Sequence, residues 1–207
     1  MSISYPDSIG ASVKRATSYT IRVAGLNDLD QLVDVLATSF YSQIGWRRWI
    51  HPLLKIGIYE DLKQRLRSRA ANYVCLTAVR SSPLSATHSA PHQTDSDAIA
   101  GTVELSTRTS YLWLIRHPRQ LYLSNLAVDV SCRRRGIAQQ LLKACEQVAF
   151  EWGFEELYLH VMEDNTEARR LYQKTGYRLY QSEYSLSAWL WGKPKRLLML
   201  KKIPPRG

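Results

Sequence analysis

The stretch from 121 to 162 constrains the fold more than any other part of this 207-residue chain. An apolar strand, predicted at 121–129, runs through a turn of three arginines into Gly136, where an amphipathic helix begins. A second apolar strand is predicted at 157–162. A helix that joins two strands in this way predicts that the strands are parallel neighbours in one sheet.

Most of the other predicted strands follow one another without a helix between them. Alternation predicts strands at 19–24, 73–80, 98–106, 177–186 and 196–202, and helical spacing predicts helices from an Asn27 N-cap to Phe40, at 52–69, at 136–152 and at 165–175. Consecutive strands form hairpins, which are antiparallel. We therefore expect an α/β fold of the mixed α+β kind, with a mostly antiparallel twisted sheet of about seven strands flanked by about four helices.

The chain length is that of a single domain with short additions. The predicted elements span 19–202, which we expect to fold as one unit. Residues 1–18 are predicted to form a flexible N-terminal tail, and 203–207 are predicted to form a C-terminal tail. Residues 81–97 are rich in Ser, Thr, Pro and His and carry few apolar side chains, so they are predicted to form a mobile loop.

The composition excludes several classes of protein. With 45% hydrophobic and 22% charged residues, the chain resembles an ordinary soluble globular protein. Its three cysteines form neither an even framework nor a C-x-x-C pair, so neither a disulfide scaffold nor a metal site is predicted. No apolar run approaches the roughly 20 residues that a membrane-spanning helix needs, and 1–18 lacks an apolar signal core. We expect a cytoplasmic protein without a transmembrane segment.

The charge is strongly unbalanced. Twenty-eight Lys and Arg against eighteen Asp and Glu give a formal net charge of +10. Such a field attracts polyanions, which include nucleic acids, membrane surfaces and phosphate-rich cofactors. No nucleic-acid-binding motif is present, so a specific nucleic-acid partner is not predicted. A non-catalytic basic module for nucleic acid or a membrane surface remains the alternative to an enzyme.

The arginine turn has the features of an anion site. The N–H groups of the first turn of a helix are unpaired and lie at the positive end of its dipole. Gly136 permits close approach of the backbone, and Arg133, Arg134 and Arg135 supply charge. This combination predicts a pyrophosphate cradle. Neither G-K-[ST] nor G-x-G-x-x-G is present, and the alternative is a helix that begins beside surface arginines with no ligand.

Two segments resemble the motifs of a known family, the GNAT superfamily of acetyl-CoA-dependent N-acetyltransferases. Similar to its motif A are Asn125-Leu-Ala-Val-Asp129 and then Arg133-x-x-Gly136-x-Ala138. Similar to its motif B is Glu163-Asp-Asn165-x-x-Ala168-x-x-Leu171-Tyr172-x-x-x-Gly176-Tyr177. The resemblance covers roughly 19–202 and is most specific over 121–180. The chain departs from the pattern at Ala138, where a second glycine is usual, and at Val130, where many members have proline.

The resemblance implies an N-acetyltransferase that uses acetyl-CoA as co-substrate and no metal. Members open a V between the two parallel strands, and the cofactor enters there. The pantetheine arm is then expected to pair with the backbone of Leu126, Ala127 and Val128. The pyrophosphate is expected at Arg133, Arg134, Arg135, Gly136, Ile137, Ala138 and Gln139. The distal pantetheine arm is expected at Asn165, Thr166 and Glu167, with Tyr172 two turns further on.

Acetyl transfer to an amine needs a proton for the departing thiolate and a neutral nitrogen. The resemblance implies that Tyr172 is the proton donor; the alternative is a core aromatic. The base is open between His160, because the ordinary pKa of a histidine of about 6.5 suits the task, and Glu104 on a neighbouring strand. A water chain, or an amine that arrives neutral, is the third alternative.

The acceptor is the least constrained part of the reaction. A protein or peptide, through its N-terminal α-amine or a lysine ε-amine, is the predicted partner, and a small-molecule amine is the alternative. Aromatic residues flank the positions where relatives bind acceptors: Trp46, Trp49, Trp189 and Trp191. The oligomeric state is open between monomer and homodimer. Cys132, beside the arginines, is expected to be a surface cysteine without a role; the alternative is a thiol whose pKa the arginines lower.

Overall fold

The computed structural model describes residues 19–41, 51–68, 72–80, 98–108, 120–183 and 194–204. Several predictions fall on other residues and so lie outside the described part of the chain. These are the N-terminal tail at 1–18, the loop at 81–97, the last residues of the C-terminal tail, and the tryptophans Trp46, Trp49, Trp189 and Trp191.

The described residues form seven strands and four α-helices. The strands are β1 (Tyr19–Val23), β2 (Tyr73–Arg80), β3 (Ile99–Arg108), β4 (Gln120–Val128), β5 (Glu156–Met162), β6 (Arg178–Glu183) and β7 (Arg196–Lys202). The helices are α1 (Leu29–Tyr41), α2 (His51–Arg67), α3 (Ile137–Glu151) and α4 (Thr166–Lys174). This mixed α/β architecture confirms the predicted fold class.

All seven strands belong to one sheet, in the order β1-β2-β3-β4-β5-β7-β6. The pair β4–β5 is parallel, as the crossover through α3 predicts, and every other pair is antiparallel. The packed chain continues past β7, because Ile203 is buried and its N–H donates to the carbonyl of Glu155 at 2.7 Å.

Each face of the sheet carries its own apolar core. On one face α3 buries a stripe at helical spacing, including Ile137, Leu141 and Cys145, together with Tyr172 from α4. On the other face α1 contributes Leu32 and Leu36, which form a second cluster with Leu62, Cys75, Ile99 and Ala127. Helices on both sides of the sheet leave its β4–β5 seam in the middle of the molecule.

Gly101 on β3 lets the first turns of α3 lie close to the sheet. A Cβ at this position would lie 2.9 Å from the carbonyl oxygen of Ala127 and 3.3 Å from side-chain carbons of Ile137 and Leu141. No larger residue fits without moving backbone, so Gly101 helps to fix where the N-terminus of α3 sits.

The predicted Asn27 N-cap is wrong. A short 3₁₀ turn, Leu26–Asp28, precedes α1, and its N-cap is Gly25. The Asp28 carboxylate closes this corner, because it accepts from the Gly25 N–H at 2.7 Å and from two nitrogens of Arg22 at 2.7 and 2.8 Å. Hydrogen bonding to Arg22 lowers the pKa of Asp28, although burial opposes the shift.

The expectation of a surface cysteine at 132 is also wrong. Cys132 is only 3% exposed, and its thiol lies 3.2 Å from a guanidinium nitrogen of Arg80. Burial opposes ionisation, but hydrogen bonds from Ser131, Arg80 and Tyr19 lower the pKa of the thiol below its ordinary value. Cys132 ends a 3₁₀ turn, Val130–Cys132, which is capped by Asp129.

Candidate active site

The two central parallel strands separate part of the way along their length. They pair over three positions, Leu121 with Leu157, Tyr122 with Tyr158 and Leu123 with Leu159. Beyond this point β5 continues to pair with β7 as far as Met162, and β4 continues with β3 as far as Val128. Within the described residues, the edge of β4 from Ser124 onward is therefore not joined to β5, and a wedge opens between the strands.

The turn between β4 and α3 exposes a helix N-terminus. Arg134 and Gly136 both have left-handed backbone, with φ of 63° and 80°. Gly136 is the N-cap of α3 and provides no capping side chain, so the first-turn N–H groups of α3 have no side-chain partner there. Amides and dipole together favour an anion at this position. These features fit the pyrophosphate of a nucleotide cofactor.

The three arginines of this turn have different partners. Arg133 donates from Nε to the carbonyl of Val128 at 3.2 Å, and Arg135 donates to the hydroxyl of Tyr19 at 3.3 Å. Arg134 is exposed and makes no hydrogen bond or ion pair to the described residues. Arg134 is therefore the arginine whose guanidinium is available to a ligand without breaking a contact.

The start of α4 lies directly after β5. The side chain of Asn165 caps the helix by accepting from the Ala168 N–H at 3.1 Å, while Thr166 and Glu167 are exposed. This cap holds the N-terminus of α4 at the end of β5. Asn165 is thus placed by its own helix, and its amide nitrogen remains for another partner.

Tyr172 is buried between α4 and the core. Its side chain is 7% exposed, and its ring centroid lies 5.8 Å from that of Tyr177. Among the described residues no group hydrogen-bonds to the Tyr172 hydroxyl. Burial raises the pKa of Tyr172 to about 12, with smaller contributions from Tyr122 and Cys145. The phenol is therefore protonated at neutral pH.

A tyrosine that the sequence analysis missed contacts His160. The Tyr122 hydroxyl lies 2.5 Å from Nδ1 of His160, so the two side chains share a hydrogen bond. The guanidinium of Arg108 stacks on the Tyr122 ring at 3.8 Å from its centroid. His160 is the first β5 residue after the last pair with β4, so this dyad stands at the start of the wedge. The predicted parallel pairing of these strands was the signal that could have found Tyr122.

The second predicted base, Glu104, lies on β3 and has a different environment. Its side chain is 1% exposed, and it accepts three hydrogen bonds. The donors are Arg65 Nη1 at 3.0 Å, the Tyr73 hydroxyl at 3.0 Å and Asn125 Nδ2 at 2.6 Å. The structure therefore brings His160 to the start of the wedge, whereas Glu104 is buried on β3 and surrounded by its three donors. No motif in the sequence marks its partners Arg65 and Tyr73.

Comparison with known proteins identifies the family to which this split parallel pair and uncapped helix N-terminus belong. The family model described as Acetyltransferase (GNAT) family matches residues 58–177, more than half of the chain. The chain belongs to the GNAT family.

Curated relatives share part of their length with this chain. GCN5-related N-acetyltransferase 10, chloroplastic, from Arabidopsis thaliana, is 34% identical over 135 residues, which are 63% of this chain and 50% of the relative. An uncharacterized N-acetyltransferase of Bacillus subtilis, YdgE, is 33% identical over 82 residues, 38% of this chain and 52% of the relative. The chain thus matches about half the length of these relatives.

Solved structures share the fold at low sequence identity. The PaiA N-acetyltransferase of Thermoplasma acidophilum, in complex with coenzyme A, has a TM-score of 0.63 at 21% identity and covers 89% of this chain and 99% of its own. Arabidopsis thaliana NAA60 in complex with acetyl-CoA has a TM-score of 0.61 at 21% identity, covering 90% of this chain and 99% of its own.

Among the helices of the described residues, none combines the length and the hydropathy that a membrane-spanning segment requires.

Proposed function

We propose that this protein is an acetyl-CoA-dependent N-acetyltransferase, which transfers an acetyl group from the thioester to a primary amine. Membership of the GNAT family supports the reaction class. The observation that carries the proposal is the wedge between β4 and β5. It combines an unpaired strand edge, the N-terminus of α3 and the hydrogen-bonded side chains of Tyr122 and His160.

The residues fit a coenzyme A ester along the whole wedge. Backbone groups of Leu126, Ala127 and Val128 are suited to the amides of the pantetheine arm, and the turn from Arg133 to Gln139 is suited to the pyrophosphate. Asn165, Thr166 and Glu167 at the start of α4 are suited to the far end of the arm. When bound, this co-substrate supplies an activated acetyl carbonyl with a thiolate leaving group.

Tyr172 suits the role of general acid. A phenol whose pKa is raised to about 12 keeps its proton at neutral pH, and the thiolate that leaves during transfer needs one. Tyr172 therefore gives its proton to the departing sulfur and recovers one from solvent between turnovers.

His160 suits the role of general base, with Tyr122 as its positioning residue. In the tautomer that serves a base, Nδ1 carries the hydrogen and donates it to the phenol oxygen of Tyr122. The basic lone pair then lies on Nε2, which takes the proton of the attacking amine. Tyr122 fixes both the ring orientation and the tautomer. Glu104 is less suited to this role, because its carboxylate is buried and already accepts three hydrogen bonds.

We propose a protein or peptide as the acceptor, chiefly through its N-terminal α-amine. An α-amine has an ordinary pKa of about 8 against about 10.4 for lysine, so it supplies more neutral nucleophile at pH 7. The net charge of +10 disfavours polycationic acceptors. Among proteins of the same fold, one is named ribosomal-protein-S18-alanine N-acetyltransferase of Escherichia coli, and NAA60 was crystallised with a bisubstrate analogue.

Calorimetric titration tests the cofactor assignment. The wild-type chain is expected to bind coenzyme A, and the double variant Arg134→Ala/Arg135→Ala is expected to bind it more weakly. A pantetheine fragment without the nucleotide should lose little affinity in the same variant. An equal loss for both ligands would remove the assignment of this turn to phosphate, and no binding by the wild type would contradict the enzyme class.

The pH dependence of the rate tests the base. His160→Gln is expected to remove the limb of the pH–rate profile near neutrality, and Tyr122→Phe is expected to shift that limb while leaving the affinity for coenzyme A unchanged. If the limb survives in His160→Gln and disappears in Glu104→Gln, the two roles must be exchanged.

A peptide screen tests the acceptor. Peptide pairs with free and blocked N-termini, each with and without one lysine, separate α-amine from ε-amine acetylation. Activity is expected chiefly on free N-termini. Activity confined to lysine, or to small-molecule amines, would overturn the acceptor while leaving the reaction class intact.

The predicted cytoplasmic location stays a prediction. The Arabidopsis relatives carry the word chloroplastic in their names, whereas YdgE comes from a bacterium. Fractionation of cells that express the protein, followed by immunoblotting, tests the location directly.

A further inference from the structure

The strand that forms one wall of the wedge contains an extra residue. On β3, Thr102 and Glu104 are separated by one residue, but their partners on β4, Ala127 and Ser124, are separated by two. Asn125 lies within this bulge and has left-handed backbone with φ of 53°. A bulge redirects the strand that carries it, and left-handed backbone in a residue other than glycine needs support from its surroundings.

That support comes from Glu104. The Asn125 side chain donates to Glu104 Oε1 at 2.6 Å, which ties the bulge to the neighbouring strand. The other carboxylate oxygen accepts from Arg65 on α2 and from Tyr73 on β2, each at 3.0 Å. A carboxylate that is 1% exposed is thus held by donors from three separate elements. Both of its oxygens are engaged, so its position and that of Asn125 are fixed together.

The bulge lies where the wedge begins. Leu123 is the last residue of β4 that pairs with β5, and Asn125 follows two residues later. The direction of Leu126, Ala127 and Val128 beyond it depends on the backbone of Asn125. Main-chain groups that hold an extended ligand must keep a fixed direction, because a hydrogen bond weakens steeply when its angle is lost.

We propose that Glu104 is a positioning residue for the co-substrate: by holding Asn125 in its left-handed conformation, it aims the backbone of Leu126 to Val128 at the pantetheine arm. This inference rests on the proposed function. Glu104 acts through Asn125 and not as a base. Arg65 and Tyr73 hold the carboxylate in place, and they connect α2 and β2 to the wall of the wedge.

Moving the carboxylate from position 104 to position 125 tests this inference. Asn125→Asp presents a second carboxylate to Glu104, so it is expected to raise the KM for acetyl-CoA and the Kd for coenzyme A by about tenfold or more, the scale of a lost hydrogen bond to a charged group. Glu104→Gln keeps a neutral hydrogen bond, because either amide can turn its oxygen towards the nitrogen of the other, but the charge is lost. It is expected to raise both constants by a smaller factor. The double variant Glu104→Gln/Asn125→Asp restores one donor and one acceptor, so both constants should return to within about threefold of wild type.

Two further variants separate positioning from stability. Asn125→Gly keeps the left-handed backbone accessible but removes the amide, and we expect it to raise the Kd for coenzyme A with its pH–rate profile unchanged. Leu105→Ala truncates a fully buried side chain next to Glu104 on the same strand but in the core beneath α3. It should lower Tm without changing the Kd.

The possible results fall into clear groups. A raised Kd in both single variants, with rescue in the double variant, supports the inference. Unchanged Kd values together with a lost limb of the pH–rate profile in Glu104→Gln would make Glu104 the base and overturn it. A rise in Kd in Leu105→Ala as large as that in the Glu104 and Asn125 variants, at a similar loss of Tm, would also overturn it. If the wild type binds no coenzyme A, the proposed function fails, and this inference fails with it.

Discussion

The two halves of β4 belong to one strand but have different surroundings. In the first half Leu121 and Leu123 are buried in the core, and the main chain pairs with strands on both sides. In the second half, from Ser124 to Val128, the pairing with β3 continues while the pairing with β5 has ended. Buried backbone groups nearly always find partners, so a strand edge without a neighbouring strand inside a folded domain is suited to a ligand. The closed half stabilises the fold, and the open half carries the proposed chemistry.

The largest expected effect concerns the open half. Gly136→Val places a β-branched residue at φ of 80°, where the backbone must approach a phosphate, and we expect the affinity for acetyl-CoA to fall at least about 100-fold. Gly153→Val is the matched control, because Gly153 follows the other end of α3 with φ of 75° and has no heavy atom within 4 Å of an added Cβ. Both variants should lose similar stability, measured by denaturation. Equal loss of binding in both would contradict the assignment.

The next effect concerns two neighbouring buried tyrosines. Tyr172→Phe is expected to lower kcat about 100-fold with little change in cofactor Kd, because the variant lacks the proton donor. Tyr177→Phe is the control, because its hydroxyl is buried without a hydrogen-bond partner among the described residues. Removing that hydroxyl should leave kcat unchanged and raise the free energy of unfolding by about 1 kcal/mol. A Tyr172→Phe rate within twofold of wild type would reduce Tyr172 to a packing role.

A smaller effect is expected where the open half of β4 lies against β3 and α3, because Gly101 on β3 pairs with Val128. Gly101→Ala forces a methyl group against the carbonyl of Ala127 and the side chains of α3, which should lower the free energy of unfolding by about 2 kcal/mol. Gly57→Ala is the control: Gly57 lies within α2 and an added Cβ meets nothing within 4 Å, so stability should rise by up to about 1 kcal/mol. Urea denaturation measures both. Equal stability of the two variants would show that α3 can shift away from β3.

The smallest effect lies at the Arg22–Asp28 corner, away from the wedge. Because the folded pKa of Asp28 is lowered, its contribution is fully present above about pH 4, the ordinary value, and is lost as the pH falls through the folded value. Asp28→Asn should cost about 1 kcal/mol at pH 7, since Arg22 is partly exposed. The difference from wild type should narrow towards pH 2, and kcat should not change. A difference that is independent of pH would contradict this assignment of the charge.

The sequence determined the elements and their order, because helix and strand periodicity depend on near neighbours along the chain. It also indicated the parallel β4–β5 pair, the arginine turn and the N-terminus of α3. It placed the start of α1 incorrectly, because a polar residue at 27 has the composition of an N-cap while the fold uses Gly25 and Asp28.

Only the tertiary structure decided which side chains meet. Tyr122 bonds His160 from 38 residues away, and Glu104 gathers Arg65 and Asn125 from 39 and 21 residues away. Such contacts depend on strand register and on a bulge, since one extra residue on β4 changes which side chains beyond it face each other. A periodic pattern cannot show a bulge, so the motif residues were predictable, whereas the groups that hold and orient them were not.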